Sequence, residues 1–533
     1  MINSLKDPLK IDNLRIRYPT SMNWTLNGLN LNIRRGERVA LIGSSGCGKS
    51  TLAKVILQLL PPKCTYEGKV FVGGQSLKDL DKFTLQKFRG ESVGLIFQDP
   101  MTRLNPLMSI GNHLLDTINS HTKNKDFKYK YDRACQLLDL VGIDPGLFDS
   151  YPHEFSGGMR QRLGIALAIA FNPPLVIADE PTTSLDVLIA SQIMSELTRL
   201  CDELGTAMLL ISHDLALAGK WCHRTAILDQ GKIVESAPSE ILLNQPQSLI
   251  GKELVKATKS RQLKRLSTTS RHSIILEAEN LRCWYACSGW PWQFKWFKAV
   301  DNISFKLLKG ETLGIVGASG CGKSTLCRAL MGLVPIRGGI VKLSGIKLLD
   351  SHHPLLRQKR IAIQMVFQDP LACLNPKMIV SEAIADPFLL HKLCNKSQAK
   401  EKVRELLTDV GLTPPELFEK RYPHELSGGQ QQRVAIARSI SLRPKVLICD
   451  ESISMLDAEI QVEILSLLKS LQKRLGLAIL FVTHDLLLAN GFCDRIFVMD
   501  NGQIIEEGLS EEIFHNPQSS ITKNLINACP KLS

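Results

Sequence analysis

Two stretches of this 533-residue chain have the residue types and spacing to hold a polyphosphate. They are Gly43-Ser44-Ser45-Gly46-Cys47-Gly48-Lys49-Ser50-Thr51 and Gly317-Ala318-Ser319-Gly320-Cys321-Gly322-Lys323-Ser324-Thr325. Each follows a short apolar run (residues 39–42 and 313–316) and precedes a helix-like segment (52–60 and 326–333). In that context the glycines let successive main-chain N–H groups turn inward, the helix N-terminus adds partial positive charge, and Lys49 or Lys323 adds a full one. A hydroxyl at Ser50 or Ser324 would sit on a Mg²⁺ that bridges two phosphates. A mere tight turn is the bland alternative, and two copies in the same strand–loop–helix context argue against it.

The elements that must position these loops come as a repeat. Lys49 and Lys323 lie 274 residues apart, Gln98 and Gln368 lie 270 apart, and from Ser156 onward the offset is 271. That constant offset pairs Ser156 with Ser427, Asp179 with Asp450, Asp186 with Asp457 and His213 with His484. Duplicated domains are therefore expected over residues 1–250 and 274–533, joined by a basic linker at 251–273 that shows no helical period. Residues 11–33 largely alternate apolar and polar, as hairpin strands do. Residues 94–98 read as a strand ending in Gln98, and 101–147 as mostly helical. Tyr151-Pro152-His153-Glu154-Phe155-Ser156-Gly157-Gly158 reads as a turn opening a helix. Leu175-Val176-Ile177-Ala178-Asp179-Glu180 is an apolar run ending in two acids, as a buried parallel strand should look, and a further strand, 208–212, ends at His213.

Composition bounds the rest. A hydrophobic share of 44% and a charged share of 22% suit soluble globular domains. No run of 18 or more apolar residues occurs, since the best candidate, 163–178, is broken by Asn172-Pro173-Pro174. The N-terminal residues lack the apolar core of a signal peptide, so a cytoplasmic location is expected. Fourteen cysteines include no C-x-x-C pair, which argues against zinc and for reduced thiols. Much of the net charge of +13 is local to the linker, as a solvated segment or as one attracted to anionic lipid headgroups. Aromatics crowd residues 284–297 (Trp284, Trp290, Trp292, Phe294, Trp296, Phe297), either as a self-packed hairpin or as a docking surface for a membrane subunit or the lipid interface.

With Ser156-Gly157-Gly158, Asp179-Glu180 and His213 in place, the chain resembles an ATP-binding cassette (ABC) protein with two nucleotide-binding domains fused. Particular strings resemble the oligopeptide/dipeptide/nickel importer branch: Phe97-Gln98-Asp99-Pro100 with Leu104-Asn105-Pro106, and Phe367-Gln368-Asp369-Pro370 with Leu374-Asn375-Pro376. So do Tyr422-Pro423-His424-Glu425-Leu426-Ser427-Gly428-Gly429-Gln430 and its first-half counterpart, while Asn244-Gln245-Pro246-Gln247-Ser248 and Asn516-Pro517-Gln518-Ser519-Ser520 are degraded tail motifs of that branch. Cys529 stands alone in the tail, so no iron–sulfur cluster is expected there. The resemblance implies an α/β fold: two tandem P-loop NTPase domains, each a mixed or parallel sheet core with an antiparallel β subdomain and a helical subdomain.

The resemblance also implies a head-to-tail sandwich in which each ATP, with Mg²⁺, lies between the phosphate loop of one half and the Ser-Gly-Gly of the other. The first site would then comprise Tyr18 (adenine stacking), the phosphate loop Gly43–Thr51, Gln98 (Mg²⁺ and water), Asp179 (behind the Mg²⁺), Glu180 and His213, closed by Ser427, Gly428 and Gly429. The second would comprise Tyr285, Gly317–Thr325, Gln368, Asp450, Glu451 and His484, closed by Ser156, Gly157 and Gly158. Glu180 and Glu451 would polarise the attacking water, with His213 and His484 holding it and the γ-phosphate in line. A departure follows Glu451, where Ser452-Ile453-Ser454-Met455 replaces Pro181-Thr182-Thr183-Ser184. Alkylation of Cys47 and Cys321 is expected to block turnover, with ATP protecting. The implied role is the motor of an importer on the cytoplasmic face of the inner membrane. Its partners would be two integral membrane permease subunits, fed by an extracytoplasmic binding protein that takes peptides, nickel or metal chelates, and no nucleic acid. The alternative class is a soluble twin-cassette translation factor acting on ribosomes, for which the linker is too short; a DNA-repair cassette would need zinc-type cysteine pairs.

Overall fold

The computed structural model describes residues 7–44, 46–98, 103–122, 125–183, 185–260, 273–287, 295–350, 359–454 and 456–529. Ser45, Asp99, Pro100, Ser184, Trp290, Trp292, Phe294, Met455 and most of the linker, all named above, therefore lie outside the described residues. The chain divides into two compact units that meet in sequence between Lys259 and Ser260.

In the first unit, alternation builds an antiparallel sheet. Strand β1 (Leu9–Arg17) buries Leu9 and Ile11, then slips by one residue and buries Leu14 and Ile16. The slip is a bulge in the pairing with β2 (Leu26–Ile33), and Asn13 takes it up at φ +48°. The sheet order is β2-β1-β4-β5, with β4 (Thr65–Val72) and β5 (Gln75–Ser76) completing it.

The second sheet is made of continuous apolar runs. It comprises β3 (Arg38–Ile42), β6 (Val93–Ile96), β7 (Leu175–Asp179), β8 (Ala207–Ser212), β9 (Arg224–Asp229) and β10 (Lys232–Pro238), in the order β10-β9-β3-β8-β7-β6. All neighbours are parallel except the β9–β10 pair. Every residue of β8 is buried, as is every residue of β7 but Asp179, because both faces of the sheet are covered, one by helices and the other by the antiparallel sheet with the helix that follows the phosphate loop. The register matters most: Ile42 lies beside Ser212, Ile211 beside Asp179, and Ala178 beside Ile96. Four parallel strands thus end level, and whatever follows each one is delivered to a single rim.

Between β6 and β7 lie the helices Ile110–His121, Phe127–Leu140 and Gly157–Ile169. Leu114, Ile118, Leu137, Leu138 and Leu163 pack there in one buried cluster. Leu249–Ser260 is also helical and buries Leu254 and Val255, so the stretch read as a linker without helical period starts as a helix of the first unit. The Gln247-Ser248 string ahead of it has a structural role: both main-chain N–H groups donate to the Glu235 carboxylate at 2.9 Å.

The second unit repeats this plan. Its antiparallel sheet runs β12-β11-β14-β15, with β11 (Ile274–Cys287), β12 (Lys295–Leu308), β14 (Gly338–Leu343) and β15 (Ile346–Asp350). Its mixed sheet runs β16-β17-β18-β13-β19-β20, from β13 (Thr312–Val316), β16 (Ile363–Val366), β17 (Val446–Asp450), β18 (Ala478–Thr483), β19 (Arg495–Asp500) and β20 (Gln503–Leu509). Val316 lies beside Thr483, Val482 beside Asp450, and Cys449 beside Val366, so the level rim recurs. Gln518 and Ser519 N–H groups donate to Glu506, as their counterparts do to Glu235. The aromatic-rich stretch is a hairpin where described: Tyr285 pairs with Phe297 and Ala286 with Trp296, and Trp296 and Phe297 remain exposed.

Candidate functional site

The rim of the first unit collects the phosphate loop after β3, Gln98 after β6, Glu180 after β7 and His213 after β8. The loop is shaped by its glycines. A Cβ on Gly43 would stand 2.3 Å from the Leu228 carbonyl oxygen and 2.7 Å from Cys47 Sγ. Gly48 sits at φ +112°, and a Cβ there would meet Thr25 O at 2.9 Å. Only glycine fits either place. Cys47 fills the space beneath the loop and is 7% exposed, and burial pushes its thiol up despite the nearby Lys49 charge. Cys321 matches it at 6%, with its thiol raised for the same reason. Thiolate is therefore scarce in both loops at neutral pH, and alkylation should be slow.

Lys49 begins the helix Lys49–Ile56 but folds back, its Nζ donating to Gly43 O at 2.5 Å and Ser44 O at 2.9 Å. Lys323 does the same with Gly317 O at 2.8 Å and Ala318 O at 2.9 Å. Each ammonium is held over the loop it would share with a phosphate. Ser50 is exposed on the first helical turn. Ser324 Oγ donates to Asp450 Oδ1 at 3.0 Å. Tyr18 reaches the same loop, its hydroxyl 3.3 Å from Thr51 Oγ1. Tyr285 lies within β11, half-exposed, one pair beyond the Trp284–Lys298 register position.

The acids differ from one another. Burial, and after it the adjacent Glu180 charge, raises the Asp179 carboxyl to about 6, with Lys49 and Lys54 acting the other way. Asp450 is also raised, chiefly by burial, with the Ser324 hydrogen bond acting the other way. Glu180 goes in the opposite direction: burial works to raise it, but the His213 hydrogen bond and charge, the Thr183 hydroxyl and Lys49 together hold it below the usual carboxylate range. Glu451 is likewise lowered, by His484 and Lys323, against its burial. Both glutamates adopt the left-handed backbone region, at φ +47° and +46°, while their N–H groups still extend the ladder to Ile211 O and Val482 O at 2.9 Å. Such a conformation costs a non-glycine residue roughly 1–2 kcal/mol and persists where the surroundings enforce it. It turns the carboxylate off the sheet and toward the loop lysine.

The glutamate is a hub. Gln98 Nε2 donates to Glu180 Oε2 at 3.0 Å, and His213 Nδ1–H donates to Oε1 at 3.2 Å. In the second unit Gln368 Nε2 donates to Glu451 Oε2 at 3.2 Å, His484 Nδ1 lies 3.5 Å from the same oxygen, and Lys323 Nζ lies 3.7 Å from Oε1. Residue types and spacing suggested neither Thr183, which donates to Glu180 Oε2 at 3.1 Å, nor Gln161, a buried residue of the Gly157–Ile169 helix whose Nε2 donates to Phe97 O at 3.3 Å. The signal for Gln161 was its charge-free polar side chain on an otherwise apolar helix face.

The Ser-Gly-Gly strings lie away from their own unit's loop lysine in sequence and open helices, as expected. Ser156 caps Gly157–Ile169 by accepting from Met159 N–H at 3.4 Å, and Ser427 caps Gly428–Ile440 by accepting from Gln430 N–H at 3.4 Å. Gln430 returns the bond, its Oε1 accepting from Ser427 N–H at 3.1 Å, which Met159 cannot do. Ser156, Gly157, Ser427 and Gly428 are exposed, whereas Gly158 and Gly429 pack against Ile189 and Ile460. An exposed helix N-terminus of this kind suits an anion.

Comparisons with known proteins agree with this geometry. A family model described as ABC transporter matches residues 26–183 and 300–454. The chain is 38% identical over 501 residues to the peptidoglycan transport ATP-binding protein YejF of Agrobacterium fabrum, covering 92% of this chain and 90% of that one. It is 34% identical over 562 residues to the glutathione import ATP-binding protein GsiA of Pectobacterium atrosepticum, covering 98% and 90%. It is also 34% identical over 604 residues to the oligopeptide transport ATP-binding protein OppD of Mycobacterium tuberculosis, covering 98% of each.

Proposed function

The chain belongs to the ABC transporter family, and on that premise we propose that it is the ATPase motor of an importer, with one nucleotide site on each half. The observation that carries this is the doubled rim: lysine loop, glutamine, glutamate and histidine delivered by the level ends of four parallel strands, twice.

In this reading ATP displaces the loop carbonyls from Lys49 and Lys323, whose ammonium groups move onto the β- and γ-phosphates. Tyr18 and Tyr285 stack on the adenine rings. Glu180 and Glu451 accept a proton from the attacking water; their lowered titration keeps them ionised at neutral pH, as a base must be. With Nδ1–H committed to the glutamate, His213 presents Nε2 to the γ-phosphate side, where it donates only in the doubly protonated form. The exposed helix N-termini that Ser156-Gly157-Gly158 and Ser427-Gly428-Gly429 open would offer main-chain N–H groups to a γ-phosphate.

The donors also fit Mg²⁺. Ser50, Ser324, Gln98, Gln368, Asp179 and Asp450 offer hard oxygens, and the described residues hold no cluster of three or more His, Cys, Asp or Glu that would cage a metal unaided. Mg²⁺ characteristically takes one or two protein oxygens and completes its shell with phosphates and water. When bound it would neutralise charge across the β- and γ-phosphates.

No described helix is long and apolar enough to cross a membrane, so import requires separate permease subunits. The chain would act peripherally, on the inner membrane's cytoplasmic face, with an extracytoplasmic binding protein delivering cargo. The names of the relatives favour peptide-containing cargo over nickel or metal chelates. Detergent extraction and affinity capture of the full chain test this: two integral membrane proteins should co-purify, and capture of ribosomes in their place would overturn it.

A further inference from the structure

The two units hold their glutamates differently, in where one hydroxyl donates and in which carboxylate oxygen the histidine meets. Thr183 and Ser454 each stand three residues after the glutamate, in turns with the same main-chain bond: Thr183 N–H to Glu180 O at 3.4 Å and Ser454 N–H to Glu451 O at 3.3 Å. Their side chains part company. Thr183 Oγ1 donates to the Glu180 carboxylate, Oε2, at 3.1 Å. Ser454 Oγ donates instead to the Glu451 main-chain oxygen at 2.6 Å. Threonine is β-branched and stiff at χ1, whereas serine rotates freely onto a nearby carbonyl.

The carboxylates are anchored differently as a result of both, Thr183 adding a second donor on Oε2 of Glu180. Glu180 has donors on both oxygens, Gln98 and Thr183 on Oε2 and His213 on Oε1. Among the described residues, Glu451 has Gln368 and His484 both on Oε2, and only the more distant Lys323 faces Oε1. Lys323 is the same group that the triphosphate would draw away. A carboxylate pinned at both ends keeps its basic lone pair aimed, and small misplacements of a base are expensive in rate.

We infer that Thr183 is a positioning residue for Glu180, and that the two nucleotide sites are kinetically unequal, the first half's glutamate acting in the faster one. This rests on the proposed role of the glutamates. The test is single-turnover cleavage of bound Mg²⁺-ATP, followed by chemical quench in the full chain. A Glu451→Gln background reads the first glutamate and a Glu180→Gln background reads the second.

The first burst should be the faster. Thr183→Val should slow it roughly tenfold, the loss expected for a hydrogen bond to a charged group, with half-saturation by ATP unchanged. Thr183→Ser should slow it towards the second half's rate, and Ser454→Thr should speed the second burst about threefold, a gain that a merely structural threonine would not confer. An unchanged burst in Thr183→Val, or a slowing matched by weaker ATP binding, would overturn the proposal. Turnover at the normal rate in the Glu180→Gln, Glu451→Gln chain would bring down the glutamate assignment itself, and this proposal with it.

Discussion

Asp179 should be a residue that the fold tolerates only because the nucleotide needs it. Its carboxyl lies at about 6 in the folded chain against 3.8 for an unperturbed aspartate, first through burial and then through the neighbouring Glu180 charge. The folded state therefore binds this proton better than the unfolded one. The resulting destabilisation is fully present above pH ~6 and disappears as the pH falls through 6 towards 3.8. A gap of that size corresponds to roughly 2–3 kcal/mol at pH 7.5 once solvent screening of a partly buried group is allowed for, and to about half as much at pH 5. Asn keeps the shape and removes the charge. Asp179→Asn should thus raise the melting temperature of nucleotide-free protein at pH 7.5 by roughly 5–10 °C, at ~2–4 °C per kcal/mol for a domain of this size. The gain should shrink by about half at pH 5, while Mg²⁺-ATP hydrolysis falls steeply. Differential scanning calorimetry across that range, paired with phosphate release, is the measurement. A variant that melts no higher than wild type at pH 7.5, or whose advantage is as large at pH 5, would refute the reasoning. The counterpart Asp450→Asn should gain less, because the Ser324 hydroxyl at 3.0 Å favours the charged carboxylate.

Other outcomes follow from the same geometry. The double variant Glu180→Gln with Glu451→Gln should bind ATP yet turn over at least ~100-fold more slowly, retaining nucleotide through gel filtration; wild-type phosphate release would show that other groups activate the water. Met159→Gln should let the side chain at that position accept from Ser156 N–H, as Gln430 does from Ser427, and stabilise the first unit by about 0.5–1 kcal/mol in urea melts; no change would mean the cap is already saturated. Maleimide should block turnover through Cys47 and Cys321 slowly at pH 7 and much faster at pH 9, with ATP protecting, because burial raises both thiols; rapid loss at pH 7 would contradict their burial.

The phosphate loops, the terminal glutamates and the Ser-Gly-Gly caps were legible in the sequence because each is local. Glycine spacing, a lysine at fixed distance and an acid at the end of an apolar run are properties of a few consecutive residues. The constant offset of 271 extended that reading to a whole duplicated fold, since only paired elements of equal length keep such a register. The helix Leu249–Ser260 was missed because its apolar face is short and its basic residues dominated the composition. Thr183 and Ser454 were visible only as a departure in spelling.

What the sequence determined by itself, then, was which groups exist and which strand or helix end carries each of them. Tertiary structure decided their partners. The level ends of β3, β6, β7 and β8 place Gln98, Glu180 and His213 within hydrogen-bonding reach across as many as 115 residues of chain. The left-handed backbone at Glu180 and Glu451 aims the carboxylates, and the acceptor that each hydroxyl finds, carboxylate or main-chain oxygen, separates Thr183 from Ser454. The physical reason is that distance and orientation fix the strength of a hydrogen bond and the pull on a titrating proton, and both are set by sheet register and side-chain packing rather than by neighbours along the chain.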